Sequence, residues 1–255
     1  MSRRSLKLRS DGYVLPCEFW QPDALAGAEP SVALVLCHGS TQKGMRHELI
    51  QALARALSTR WPVLTLELPG FGRAPQLIIR STDDYLFHRH LLAAAELVQA
   101  ETGLRAVLVG HSMGGRVSLQ AASRGQEDGL VVGVATLAGL YELPSEPEHM
   151  MALLEDFARF VRVRFEMPME LVAREVAELG PTRRAVEALK VPLLAVEAGR
   201  EYYDFIKETR YDLFRVARCP KTMVVLGRAD HKFKSYHDAL ADLLVSWLER
   251  RFSRG

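Results

Sequence analysis

The sequence predicts an α/β fold built on a mostly parallel, doubly wound sheet of about eight strands. Three observations carry this expectation. Continuous apolar runs rich in β-branched residues, such as SVALVLCHG, AVLVG and GLVVGVATLAG, read as strands buried on both faces. Segments with helical periodicity separate them, and strand then helix recurs with short links. A length of 255 residues, 48% hydrophobic and 25% charged, suits one sizeable soluble domain whose core needs no disulfide staples.

In chain order, residues 4–20 read as a hairpin turning at Ser10-Asp11-Gly12, where Asp-Gly is a strong turn signal. PDALAGAEP is a loop. SVALVLCHG is the first parallel strand, ending at His38-Gly39-Ser40-Thr41, and HELIQALARALSTR follows as a helix. WPVLTLEL is the next strand, closed by the flexible PGFGRA. Residues 82–101 are expected to form one helix with an acidic start, which complements its dipole. His88 and His90 stand two apart on it and point in different directions, so surface or packing roles are expected and not a shared metal. AVLVG, a helix to about Gly125, and GLVVGVATLAG ending at Leu140-Tyr141-Glu142 continue the alternation.

The rhythm breaks between Leu143 and Lys190. Met150, Leu154, Phe157, Val161 and Phe165 fall on one helical face, and after Pro168 a second helix carries Val172, Val176 and Leu179 until Gly180-Pro181 stops it. Two or three helices without a strand make this stretch too long for a simple crossover. The expected division is a core domain of residues 1–142 and 191–255 with a helical cap, 143–190, inserted in it. Arg159, Arg162 and Arg164 read as a solvated face. VPLLAVEAG, a helix to about Ala217, the strand KTMVVLG and a terminal amphipathic helix over 235–252 complete the chain.

A net charge of +2, spread without a basic block, gives no indication of nucleic-acid binding. No apolar run follows the basic MSRRSLKLRS, so a signal peptide is not expected, and the longest apolar stretch, LVVGVATLAGL, is too short to span a membrane. Cys17, Cys37 and Cys219 are odd in number and lack C-x-x-C spacing, against disulfides and zinc, with Cys37 a small buried residue. The cytoplasm is the expected compartment. Nothing in the sequence sets an oligomeric state.

The chemistry concentrates in GHSMGG, Gly110 to Gly115, a G-x-S-x-G pattern between a strand and a helix. A sharp reversal there lifts the Ser112 side chain into a cleft, and Gly110 and Gly114 leave room where a Cβ would clash. The helix aims its first amide, that of Met113, at a developing oxyanion, and the amide of Ser40 or Thr41 is the candidate second donor. A serine nucleophile needs a base, and the base needs a carboxylate to orient it. His231 directly follows a predicted strand, whereas His237 and His149 lie on helices. Three carboxylates remain open as the acid: Glu201, Asp204 and Glu142.

LVLCHGS, ELPGFGRA, VGHSMGG and GRADHKF, in this order and spacing, resemble the α/β-hydrolase superfamily over nearly the whole chain, as a serine hydrolase or esterase-like member with a helical cap. The resemblance implies Ser112 as nucleophile, His231 as base, oxyanion amides from Met113 with Ser40 or Thr41, and the order Ser, acid, His. It implies a small-molecule acyl substrate and no metal or organic cofactor. Two positions depart from the family pattern. Glu67 and Ala74 replace the Asp and Ser of the D-x-P-G-x-G-x-S loop, and G-x-x-D becomes Gly199-Arg200-Glu201 after Ala198. Alternatives on the same scaffold are a thioesterase or acyltransferase using the same acyl-serine, and a non-catalytic ligand-binding protein.

Overall fold

The computed structural model describes residues 2–23, 29–178 and 182–252. Part of the PDALAGAEP loop, Leu179 and the expected helix stop at Gly180-Pro181 lie outside the described residues. The chain opens with strands β1 (Ser2–Ser10) and β2 (Tyr13–Gln21), paired antiparallel. Asp11 and Gly12 both have positive φ, 45° and 79°, the backbone a tight hairpin of this twist requires.

The parallel part follows as β3 (Val32–Cys37), α1 (Glu48–Leu57), β4 (Val63–Leu66), a short β5 (Leu77–Ile79), α2 (His88–Thr102), β6 (Arg105–His111), α3 (Met113–Gly125) and β7 (Val131–Leu137). After β7 come α4 (Pro147–Phe160), β8 (Val163–Phe165), α5 (Met169–Glu178) and α6 (Thr182–Ala188). The fold closes with β9 (Leu193–Arg200), α7 (Asp204–Val216), β10 (Lys221–Asp230) and α8 (His237–Phe252). Eight strands form one sheet in the order β1-β2-β4-β3-β6-β7-β9-β10, parallel from β4 to β10. This is the α/β-hydrolase arrangement.

All six residues of β3 and all four of β4 are buried, which is why those stretches are continuously apolar. Leu34, Leu36, Val107 and Val109 face one core with α1 and α8, while Val35 and Leu108 face a second core with helices α2 to α7. Because the strands are parallel, β3, β6, β7, β9 and β10 all end on one edge of the sheet. Residues 38–41, 112, 201 and 231 are therefore brought to one place by topology alone.

Three expectations change. The helix expected over residues 82–101 divides into a 3-10 turn, Thr82–Tyr85, and α2. Asp84 accepts from the Arg80 and Ser81 amides at 2.7 and 3.1 Å, so the acidic start caps the short turn and α2 begins without it. The stretch after β7 contains a strand, since β8 pairs parallel with β5. The apolar stripe consequently breaks: Met150, Leu154 and Phe157 form the buried face of α4, but Val161 is extended (φ −126°, ψ 143°) and Phe165 lies in β8. Arg162 is also more than a solvated side chain, donating to the Gly72 carbonyl at 2.9 Å and to that of Ala74. Among the described residues no helix is long and apolar enough to cross a membrane.

Trp247 of α8 is fully buried, edge-on to Phe252 at 5.6 Å and beneath Gly133 of β7. Trp247→Ala should lower unfolding free energy by about 3–5 kcal/mol, measured by urea denaturation. A loss below about 1 kcal/mol would show that α8 is not a full part of this core.

Candidate active site

Ser112 stands between β6 and α3 with φ 52° and ψ −123°, a conformation L-residues rarely adopt. Its amide is held by the Leu137 carbonyl at 2.9 Å, and its own carbonyl accepts from Gly115 and Arg116. The flanking glycines are sterically required. A Cβ at Gly110 would lie 2.2 Å from the Gly114 carbonyl oxygen, and one at Gly114 would lie 2.4 Å from that of His38. The close approach of α3 to β3 and β6 thus depends on both.

Ser112 Oγ lies 2.9 Å from His231 Nε2, and His231 Nδ1 lies 2.7 Å from Glu201 Oε2. An ionised carboxylate only accepts, so Nδ1 carries the proton toward Glu201, and neutral imidazole leaves Nε2 free to accept from the serine hydroxyl. The second oxygen of Glu201 accepts from the Tyr202 and Tyr203 amides at 2.9 and 3.0 Å. Burial pulls the Glu201 pKa up, but the hydrogen bond and charge of His231 and these two amides outweigh it and hold the carboxyl below its ordinary value. Tyr203 packs edge-on against the imidazole at 4.9 Å and limits its tilt.

The other two candidate acids are engaged elsewhere. Glu142 accepts from the Thr182 and Arg183 amides at 2.7 and 2.9 Å, capping α6. Asp204 begins α7, exposed and paired with Lys207. His237 is the first residue of α8 and His149 lies exposed on α4. Gly39, Ser40, Thr41 and Met113 line a cavity of about 380 Å³ together with Ser112 and His231. The Met113 amide is the first of α3 and has no partner within the helix, and among the described residues the Ser40 and Thr41 amides donate to no protein acceptor.

Two buried histidines brace this edge. His38 Nε2 accepts from the Leu68 amide at 3.2 Å, so Nδ1 donates to the Gly39 carbonyl at 2.8 Å. His111 Nε2 donates to the His231 carbonyl at 2.8 Å. Burial lowers their pKa values to about 4 and about 3, which keeps both neutral. Sequence reasoning missed the role of His111, which reads only as the variable residue of G-x-S-x-G. His88 and His90 are buried too, His90 contacting Ser10 Oγ at 2.8 Å. Among the described residues no group of three His, Cys, Asp or Glu is placed to hold a metal.

Residues 34–253 match the sequence pattern of the Alpha/beta hydrolase family. The chain belongs to that family. It is an α/β-hydrolase-type enzyme, and its relatives include human monoglyceride lipase, 28% identical over 117 residues. That match covers 46% of this chain and 37% of the lipase, so the hydrolase spans little over a third of that relative. A pimeloyl-[acyl-carrier protein] methyl ester esterase of Neisseria meningitidis is 24% identical over 245 residues, covering 81% of this chain and 90% of the esterase. An α/β serine hydrolase without lid from Xanthomonas campestris superposes with a TM-score of 0.70 at 18% identity, covering 100% of this chain and 97% of that one, a likeness of fold.

One further carboxyl departs from ordinary behaviour. Glu197, in β9, is wholly buried, and although the Leu140 amide acts weakly on it, neither oxygen has a partner at hydrogen-bond geometry. Burial pushes its pKa from 4.5 to about 8, against the pull of Arg210.

Two outcomes follow from this geometry. Gly114→Ala should lower unfolding free energy by about 1–3 kcal/mol or more, because the new methyl meets backbone that cannot swing aside; denaturation at the wild-type midpoint would contradict the packing described. Between pH 4.5 and about 8, folded Glu197 keeps a proton that the unfolded chain has released, so its contribution to stability falls as pH rises across that window. The buried histidines act in the opposite sense at lower pH, so the informative quantity is the difference from Glu197→Gln. Urea unfolding should show the variant gaining on wild type from pH 5 to 8, and a constant difference would mean that Glu197 ionises normally.

Proposed function

We propose that this enzyme is a serine hydrolase of esters or related acyl compounds, working through an acyl-serine intermediate. The observation that carries the reading is the continuous relay from Ser112 Oγ through His231 to Glu201, opening on a cavity lined by Ser40, Thr41 and Met113. Ser112 attacks the substrate carbonyl as His231 Nε2 takes its proton. The carbonyl oxygen gains negative charge and rests on the Met113 amide and that of Ser40 or Thr41. Collapse of this intermediate breaks the bond to the leaving group, which receives the proton from His231. Water then attacks the acyl-serine with His231 again as base, releasing acid and free Ser112. Glu201 stays ionised throughout, fixing the tautomer and stabilising the imidazolium.

Residues 143–190 serve as a cap on the core of residues 1–142 and 191–255. Support comes from Leu143, Leu153, Phe157 and Phe160, which supply the apolar wall opposite the strand ends. The free, buried thiols of Cys17, Cys37 and Cys219 support a reducing, cytoplasmic setting.

Ser112→Ala should lower kcat on a short-chain chromogenic ester by about a thousandfold or more and abolish labelling by a fluorophosphonate probe. Hydrolysis at the wild-type rate would overturn the mechanism. Glu201→Gln should cost about a hundredfold or more in kcat, whereas Asp204→Asn should stay within about threefold of wild type. If the second variant is the one that suffers, the acid has been misassigned.

A further inference from the structure

The proposed reaction leaves one charged group in the cavity unused. Arg116 stands one turn into α3 from Ser112, and its amide bonds the Ser112 carbonyl at 3.2 Å. Its side chain lines the same cavity as the serine, yet the residue is only 8% exposed. Its Nε donates to Thr182 Oγ1 at 3.1 Å, which fixes the guanidinium against α6. Among the described residues the guanidinium's one side-chain acceptor is Thr182, no carboxylate pairs with it, and its Nη atoms are left facing the cavity.

The nearby acids are committed to other donors. Glu142 caps α6, Glu201 holds His231, and Asp156 on the cavity wall pairs with Arg159 at 3.6 Å. Tyr85 and Tyr141 also line the cavity close enough to feel the Arg116 charge, and burial keeps both phenols in the neutral form. A guanidinium is a permanent cation, and burying one without a counter-charge is unfavourable. The protein holds this one rigid, with donors spare, beside a nucleophilic serine. Such a group matches a planar anion that arrives with the substrate.

We propose that Arg116 binds a carboxylate carried by the substrate, so that the preferred substrates are half-esters, with the ionised carboxyl on either the acyl or the alcohol side. This inference rests on the acyl-serine reading above. It makes Arg116 a specificity-determining residue, which fixes how far from the scissile carbonyl the anion sits.

The test compares matched pairs of substrates. On the acyl side these are p-nitrophenyl monoesters of the straight dicarboxylic acids from succinic to suberic, against p-nitrophenyl esters of monocarboxylic acids of equal length. On the alcohol side they are 4-acetoxybenzoate against p-tolyl acetate. The quantity read is the ratio of kcat/KM, anionic to neutral, in wild type and in Arg116→Met. Loss of folded enzyme scales both members alike and leaves the ratio untouched. The ratio should fall 10- to 100-fold in at least one series, with Arg116→Lys retaining part of it. An unchanged ratio in both series overturns the proposal. Calorimetric binding of the monomethyl diacid esters and of 4-acetoxybenzoate to Ser112→Ala separates this failure from failure of the catalytic reading. Binding of either ligand that weakens by a similar factor when Arg116→Met is added supports the anion site even if hydrolysis proves independent of Ser112. Binding of both ligands that is indifferent to Arg116 sinks the site even if Ser112 proves to be the nucleophile.

Discussion

Ser112 is held in a backbone conformation that costs an L-residue about 1–3 kcal/mol, and it persists because the packing around it leaves no alternative. The restraint is made of backbone on backbone. Gly110 of β6 approaches the Gly114 carbonyl, Gly114 approaches the β3 end at His38, and Gly115 approaches Gly139 past β7. Three neighbouring strands and one helix therefore converge on a single residue. Relaxing the turn would require α3 to move away from β3, β6 and β7 together, which would open the core on that face. The strain is stored where the chain is most strongly tied.

The same edge must also keep its other groups at fixed distances, and it does so with neutral imidazoles. His38 links the ends of β3 and β4 through the Leu68 amide, and His111 links the β6 end to the loop after β10 through the His231 carbonyl. A charged His111 would bring a buried cation within 5.3 Å of the His231 ring, centroid to centroid. Burial prevents this by keeping both rings unprotonated, with one nitrogen donating to a carbonyl in each case. The backbone carrying His231 is thus anchored to the residue immediately before Ser112.

How much of this was legible depended on the range over which each feature is set. Strands buried on both faces read as nearly continuous apolar runs, so β3, β6, β7 and β9 stand out in the sequence, although β9 carries Glu197. The elbow is equally local, since glycines two residues either side of Ser112 record a steric need within one turn. The carboxylate is different. Glu142, Glu201 and Asp204 all follow strands, and which one meets an imidazole depends on where the loop from β9 to α7 aims its side chains. β5 and β8 span three residues each, too few for a two-residue period to appear, and they exist because each pairs with the other. Arg116 looks like any polar residue on a helix. Its side chain is held by Thr182 of α6, 66 residues away, which no window along the chain samples.

Glu197 and Glu201 show how one strand end sets two carboxyls to opposite states. They lie four residues apart, and each disfavours a second negative charge near the other. Glu201 receives His231 Nδ1 on one oxygen and two amides on the other, so its charge is compensated on every side and its pKa falls. Burial raises the Glu197 pKa, and Arg210, whose guanidinium donates to the Ala198 carbonyl, offsets this only from a distance, so Glu197 holds its proton near neutral pH. The protonated neighbour removes a repulsion that would otherwise raise the Glu201 pKa. One buried carboxyl kept neutral helps the other remain an anion beside His231 Nδ1.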